Sequence, residues 1–314
     1  MVDHEQAIAD LRFDNPTRGR QADIVSMQVI SVRQGMWCRQ RDQLVAEEPM
    51  EIQVSGPDQD MMSLAVTMRT PGHDGELAMG FLYAEGLIGS HQDILAVHGG
   101  DHSGVGHTCN IVEVRLARPF DLTAVKRHFT ATSSCGLCGK VSIQQVAIHC
   151  PPVAPGPVVD SSVLMPLPGA LRQAQQVFEQ TGGLHAAGLF DQAGRLLSLR
   201  EDIGRHNAVD KLIGQMLQAG EVPLRNRLLL VSGRVSFEIV QKAAMAGVPI
   251  LCAVSAASSL AIEAAQHFRM TLVGFLRDQS FNIYTHPERI ALDRSKEKHS
   301  NETVIRPTDR ASGT

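Results

Sequence analysis

The chain has 314 residues, 43% of them hydrophobic and 20% charged, with a formal net charge of −4. That supplies ample core, and since single cores rarely exceed about 250–300 residues, two domains are expected. The slight acidity excludes a general nucleic-acid binder, and no apolar run approaches the ~18 residues that would cross a bilayer. The polar start MVDHEQAIADLRFDN is not a secretory signal. A cytoplasmic protein is expected, partnered by neither nucleic acid nor membrane.

Residues 1–20 show no periodicity and are expected to be disordered. Three stretches then alternate with the period-two pattern of half-buried strands: EIQV from Glu51, Leu64–Arg69 and Val112–Leu116. Between the last two, Leu77, Phe81, Ala84 and Ile88 recur at helical spacing, with Asp74 as the N-cap. Residues 21–150 therefore read as an α+β domain. The stretch CPPVAPGPVVDSS, from Cys150, is stiffened by proline and sets a linker at residues 151–165.

Residues 166–294 change character. A helix spans Gly169–Gln180, and a hairpin joins strands His185–Phe190 and Leu196–Arg200 through Asp191-Gln-Ala-Gly194. Helices at Asn207–Leu217, Phe237–Ala246 and Ser259–Phe268 then alternate with strands at Arg227–Val231, Val248–Val254 and Thr271–Phe275. Such alternation predicts a largely parallel sheet covered on both faces, a three-layer α/β domain. The polar tail, residues 295–314, is expected to be disordered.

Two features could carry chemistry. Strands of the second half run into short polar turns that open helices: Ser232-Gly233-Arg234, Ser255 to Ser259, and Glu201 to Asn207, which includes Arg205 and His206. Ligands of open α/β sheets gather at such carboxyl ends, where free N–H groups suit phosphate. Ordinary capping explains one such turn; three in one sheet point to an anionic or nucleotide ligand. The second feature is ATSSCGLCGK. Its pair Cys135 and Cys138 supplies two of the four ligands of a structural zinc, which Cys109, Cys150 or His107 would have to complete. It also has the spacing of a redox pair, although such pairs open a helix. A persulfide carrier is the third use: Gly136 and Gly139 give backbone freedom, and Lys140 favours a thiolate. Residue chemistry alone leaves these three open.

SSCGLCGK resembles the signature of the formate dehydrogenase accessory sulfurtransferase family, the FdhD/NarQ type. So do TPGHDGELAMGFLYAEGLI from Thr70, TGGLHAAGLF from Thr181, REDIGRHNAVDK from Arg200 and LLVSGRVSFEIVQKA from Leu229, in family order. The resemblance implies a sulfurtransferase that takes persulfide sulfur from a cysteine desulfurase. It passes that sulfur to the bis-molybdopterin guanine dinucleotide cofactor bound for formate dehydrogenase apo-enzyme. Cys135 matches the persulfide-carrying cysteine and Cys138 the assisting thiol. The alternative is a non-catalytic cofactor chaperone. The second domain is implied to resemble the cytidine deaminase fold, reused to bind guanine nucleotide. Deaminase chemistry is not expected: His286-Pro-Glu288 has the H-x-E spacing, but no P-C-x-x-C follows it. The cofactor-binding segment falls on Phe275, Leu276, Arg277, Asp278, Gln279 and Ser280. Family members often have a glycine soon after the arginine, where this chain has Asp278-Gln279. Ser232, Gly233, Arg234, Arg205, His206 and His185 would line the same pocket, no metal of the protein's own is expected, and a homodimer is implied.

Overall fold

The computed structural model describes residues 17–18, 23–99, 110–120, 150, 152–277, 279–293 and 295. Strands β1 (Thr17–Arg18), β2 (Ile24–Arg33) and β3 (Met36–Val45) form a small antiparallel sheet. Gln34 and Gly35 both take positive φ, the two-residue reversal that suits a twisted hairpin, so β2 and β3 pair without a bulge over their full length. This ribbon lies outside the strands anticipated from periodicity, because neither of its faces is consistently buried.

A second sheet is built from β4 (Glu48–Ser55) and β5 (Met62–Arg69), then, after helix α1 (Asp74–Ala84), from β6 (Ile94–Gly99) and β7 (Ile111–Leu116), in the order β5-β4-β7-β6. Met50, Ile52 and Val54 alternate with polar residues and turn inward with Val112, Val114 and Leu116. Asp74 is not the N-cap of α1. His73 occupies that position in left-handed conformation, and Asp74 is instead the buried partner of Arg69, at 3.0 and 2.8 Å.

Beyond β8 (Val159–Asp160) and α2 (Ser161–Leu164), the single helix expected at Gly169–Gln180 is two, α3 (Leu167–Ala174) and α4 (Gln176–Thr181). The break has a partner. Glu201 accepts hydrogen bonds from Val177 N (3.2 Å) and Phe178 N (3.1 Å), supplying from a distant strand the carboxylate that opens α4.

The third sheet takes β9 (His185–Phe190) and β10 (Leu196–Asp202), then β11 (Leu228–Val231), β12 (Ile250–Ala253), β13 (Thr271–Arg277) and β14 (Ser280–Thr285), interleaved with α5 (Arg205–Gln218), α6 (Phe237–Met245) and α7 (Ser259–His267). Its order is β10-β9-β11-β12-β13-β14. It is mixed rather than largely parallel: β11, β12 and β13 run together, while β9 opposes both its neighbours and β14 opposes β13. The β13–β14 reversal was hidden in a stretch with no glycine to announce a turn. One face packs Leu189, Leu229, Leu251 and Leu272 against α5, α6 and α7; the other packs Phe190, Leu230 and Ile250 against Leu164, Leu167 and Leu171. The first of these cores continues into Ile52 and Val114 of the second sheet and Leu77 of α1, so both halves of the chain share it. A short strand, β15 (Ile290–Ala291), pairs with β8.

The halves meet where α1 crosses α5. A Cβ on Gly80 would lie 1.8 Å from the carbonyl oxygen of Asp210, and one on Gly214 would lie 1.8 Å from that of Glu76. Backbone packs on backbone there, which only glycine permits. In an exposed helix, glycine to alanine stabilises by about 1 kcal/mol. Here Gly80→Ala and Gly214→Ala are each expected to destabilise by about 2–3 kcal/mol through overpacking. Urea unfolding checks this; a midpoint unchanged or raised would contradict the crossing.

Candidate functional site

The junctions singled out in the second half converge on one edge of the third sheet. Because β9 runs against β11, its first residue, His185, lies beside the turn that leaves β11, and Asp202 at the end of β10 pairs with it. Ser232 is locked to β9: its N–H donates to Ala186 O (3.0 Å), and its Oγ accepts from Ala186 N (2.9 Å). Gly233 follows in a tight place, since a Cβ would stand 3.1 Å from His185 Nδ1 and 3.6 Å from Arg205 Cβ. His185, Ser232, Gly233 and Arg205 are thus in contact or nearly so.

Arg205 opens α5, and a buried network fixes its position. Asp202 is fully buried. Its Oδ2 takes Lys211 Nζ (2.7 Å) and Thr70 N (3.2 Å), while its Oδ1 takes Gly204 N (2.8 Å) and Asn207 Nδ2 (3.1 Å). Thr70 Oγ1 in turn accepts from Ile203 N, and Lys211 also donates to Thr70 O. With every oxygen of the carboxylate occupied, the Ile203-Gly204-Arg205 backbone has one position. From it, Arg205 presents an Nε that is buried and without a hydrogen-bond partner among the described residues. A buried guanidinium donor left open is what an anion would complete.

Charge around this point is positive. Burial first, then the nearby charges of Arg205, His206 and Arg234, push His185 below its ordinary value. His206 Nε2 meets Ser236 Oγ (3.1 Å) and Glu238 Oε2 (3.2 Å). The hydrogen bond from His206, with that from Ser236, outweighs burial and holds Glu238 at about 2. Serine and glutamate approach the same ring nitrogen, so this trio is not the relay in which a carboxylate orients the opposite nitrogen of a general base. Neither Ser236 nor Glu238 was anticipated; the Ser-Phe-Glu start of α6 is a capping pattern that could have flagged them.

The Phe275 to Ser280 segment lies on the same edge, two strands further along, at about 10 Å for two strand spacings. Phe275 takes positive φ, and its N–H donates to Ser255 O (3.1 Å), bringing in another anticipated turn. Leu276 is buried in the second core and presents no side chain to a ligand. Arg277 is partly buried, while Gln279 and Ser280 are exposed. Asp278, Cys135 and Cys138 lie outside the described residues. The chain before Cys135 is anchored at Phe120, whose N–H and C=O are both held by the Gln59 amide (2.9 and 3.0 Å). After it, Cys150 is buried, and burial pushes its thiol, like that of Cys252, up to about 12. Neither is a competing nucleophile. Among the described residues no group of three or more His, Cys, Asp or Glu side chains could hold a metal. His286 and Glu288 pair with each other at 2.8 Å.

The FdhD/NarQ family model matches residues 45–291. The chain belongs to the FdhD/NarQ family. It is 49% identical to the sulfur carrier protein FdhD of Streptomyces avermitilis, covering 84% of this chain and 94% of that one. The sulfur carrier protein FdhD of Sulfurisphaera tokodaii is 43% identical over 84% of this chain and 98% of its own. A crystal structure from Desulfotalea psychrophila, described as a formate dehydrogenase accessory protein, superposes with a TM-score of 0.65. It covers 85% of this chain and 99% of that one at 23% identity, so the two share a fold.

The positive edge of this FdhD/NarQ chain predicts a proton-linked anion site. Inorganic pyrophosphate should raise the pKa of His185, and by linkage the anion should bind more tightly as the pH falls through the range in which His185 takes up its proton. Histidine NMR titration with and without pyrophosphate measures this; a His185 curve unmoved by the anion would contradict it.

Proposed function

We propose that this chain is a sulfur carrier that loads Cys135 from a cysteine desulfurase and delivers the sulfur to a guanine dinucleotide molybdenum cofactor held at the positive edge of the third sheet, in the service of formate dehydrogenase apo-enzyme. The observation that carries the cofactor half is the buried Nε of Arg205, unpartnered among the described residues. It stands among His185, Gly233 and Arg234, at the carboxyl ends of parallel strands. Relatives named as sulfur carriers, at 43% and 49% identity, support the sulfur half.

In this reading the guanidinium of Arg205 and the N–H groups at the start of α5 meet phosphate oxygens. Arg277 does the same from the end of β13. The third sheet, with a parallel centre of β11, β12 and β13 flanked by the antiparallel β9 and β14, is in keeping with a cytidine-deaminase-like second domain that serves binding rather than deamination.

Sulfur moves by thiol exchange. The Cys135 thiolate attacks the outer sulfur of the donor's persulfide, leaving the donor as a thiolate and Cys135 as a persulfide. Attack by the Cys138 thiolate on Cys135 Sγ then forms a disulfide and releases the outer sulfur as sulfide, the ligand for the metal. A thiol reductant restores the pair. Cys135 lies midway between Phe120 and Cys150.

Cys135→Ala separates a carrier of sulfur from a simple cofactor chaperone. The variant should keep its affinity for guanosine diphosphate and fail to activate formate dehydrogenase in cells that lack the natural protein. Arg205→Ala should weaken guanosine diphosphate at least tenfold, as calorimetry would show. Full activation by Cys135→Ala would contradict transfer, and undiminished affinity in Arg205→Ala would remove the edge as the site.

A further inference from the structure

The β2–β3 ribbon is the one large element whose role nothing above assigns. Each of its strands is ten residues long, so it extends about 33 Å. It is tied down at its base, where Ala46 N donates to Asp23 O and Val45 lies against Gly183; its principal packing is on α4. At its far end Val32, Met36 and Trp37 are 66%, 73% and 66% exposed. A two-stranded ribbon whose second strand is exposed along nearly its whole length is marginal by itself, and an exposed apolar cluster at its tip calls for a surface to cover it.

The ribbon's own charges narrow the choice. Val32 opposes Trp37, and in the same register Ile30 and Gln28 oppose Arg39 and Arg41, so the indole and two arginines share a face. With Arg33, the ribbon carries three arginines against the single Asp42, in a chain whose net charge is −4. Pairing of two β3 edges is disfavoured: symmetric antiparallel registers centred on residues 39, 40 or 41 each set arginine against arginine. The ribbon is therefore suited to lie by its face on an acidic, partly apolar surface.

This chain has such a surface. The second sheet turns Met50, Ile52 and Val54 inward, and its outer face presents Glu51 and Glu113 with the exposed Val66 and Met68. Glu51 stands opposite Val66 in the β4–β5 register, and exposed Glu47 precedes β4; Arg115 is the opposing charge on that face. We infer that the ribbon of one copy lies across the outer face of the second sheet of another copy. Trp37 would contact Val66 and Met68, and Arg39 and Arg41 would face Glu51 and Glu113. The exchange is reciprocal, since a two-fold axis gives each copy one ribbon and one receiving face. The family resemblance implies a homodimer; this inference goes further by assigning its surface, and it does not depend on sulfur transfer.

Trp37 is the chain's single tryptophan, so its fluorescence reports the contact directly. Sedimentation velocity and emission spectra of the full chain are measured over a concentration series. The expected result is a dimer of the 34.0 kDa chain whose Trp37 emission moves to longer wavelength as dilution dissociates it. R39E/R41E and E51R/E113R should each weaken the dimer at least tenfold, and all four changes together should restore it to within about threefold. Restoration also shows that the single-face variants were folded. A monomer at every concentration would overturn the assignment, whether Trp37 is then exposed or covered by the same chain. So would a dimer with Trp37 in water, or a four-fold variant no tighter than either parent.

Discussion

The contact of two helix backbones at Gly80 and Gly214 is the constraint on which the rest of the molecule depends. It brings α1 close enough to α5 for residues of the first half to enter polar contacts with residues of the second. Glu76 of α1 then reaches Arg200 of β10 at 2.5 and 2.7 Å. Burial opposes the charge on Glu76, but hydrogen bonds from Arg200 and His73 outweigh it and hold the carboxyl at about 2. Thr70 likewise reaches Asp202 and Lys211. A buried ion pair contributes little net stability when balanced against its desolvation, but it is costly to break. Its value here is positional. It fixes the start of α5, and with it the Arg205 nitrogen that has no partner among the described residues.

The same economy governs the thiols. Cys150 and Cys252 are buried and their thiols pushed far up, which leaves them protonated at neutral pH. The chain is gripped at Phe120 by Gln59, and Gly56 makes the grip possible: a Cβ there would stand 2.4 Å from Gln59 Oε1. On the proposed function, a rigid binding edge and a separately anchored cysteine segment divide the work. One holds the acceptor, and the other brings the sulfur.

Much of the second half was legible because its strands are buried on both faces and read as plain apolar runs, LLLV and ILCA. The polar turns after them were legible as helix starts, and the structure does gather His185, Ser232, Gly233 and Arg205 at one edge. What escaped notice depended on distant partners. The α3–α4 break is set by Glu201 from another strand, and Asp74 left the capping position for Arg69. The β2–β3 ribbon has no buried face to impose an alternating pattern, so periodicity could not reveal it. Leu276 sat in a segment named by resemblance, whereas its own apolar character already placed it in the core.

The central claim is that one thiol accepts sulfur and surrenders it. Intact-mass analysis followed by peptide mapping, after incubation with a cysteine desulfurase and cysteine, tests it most directly. The account predicts one added sulfur on Cys135, removed by a thiol reductant and absent from the Cys135→Ala chain. Sulfur found only on a different cysteine, or none on any, would contradict it.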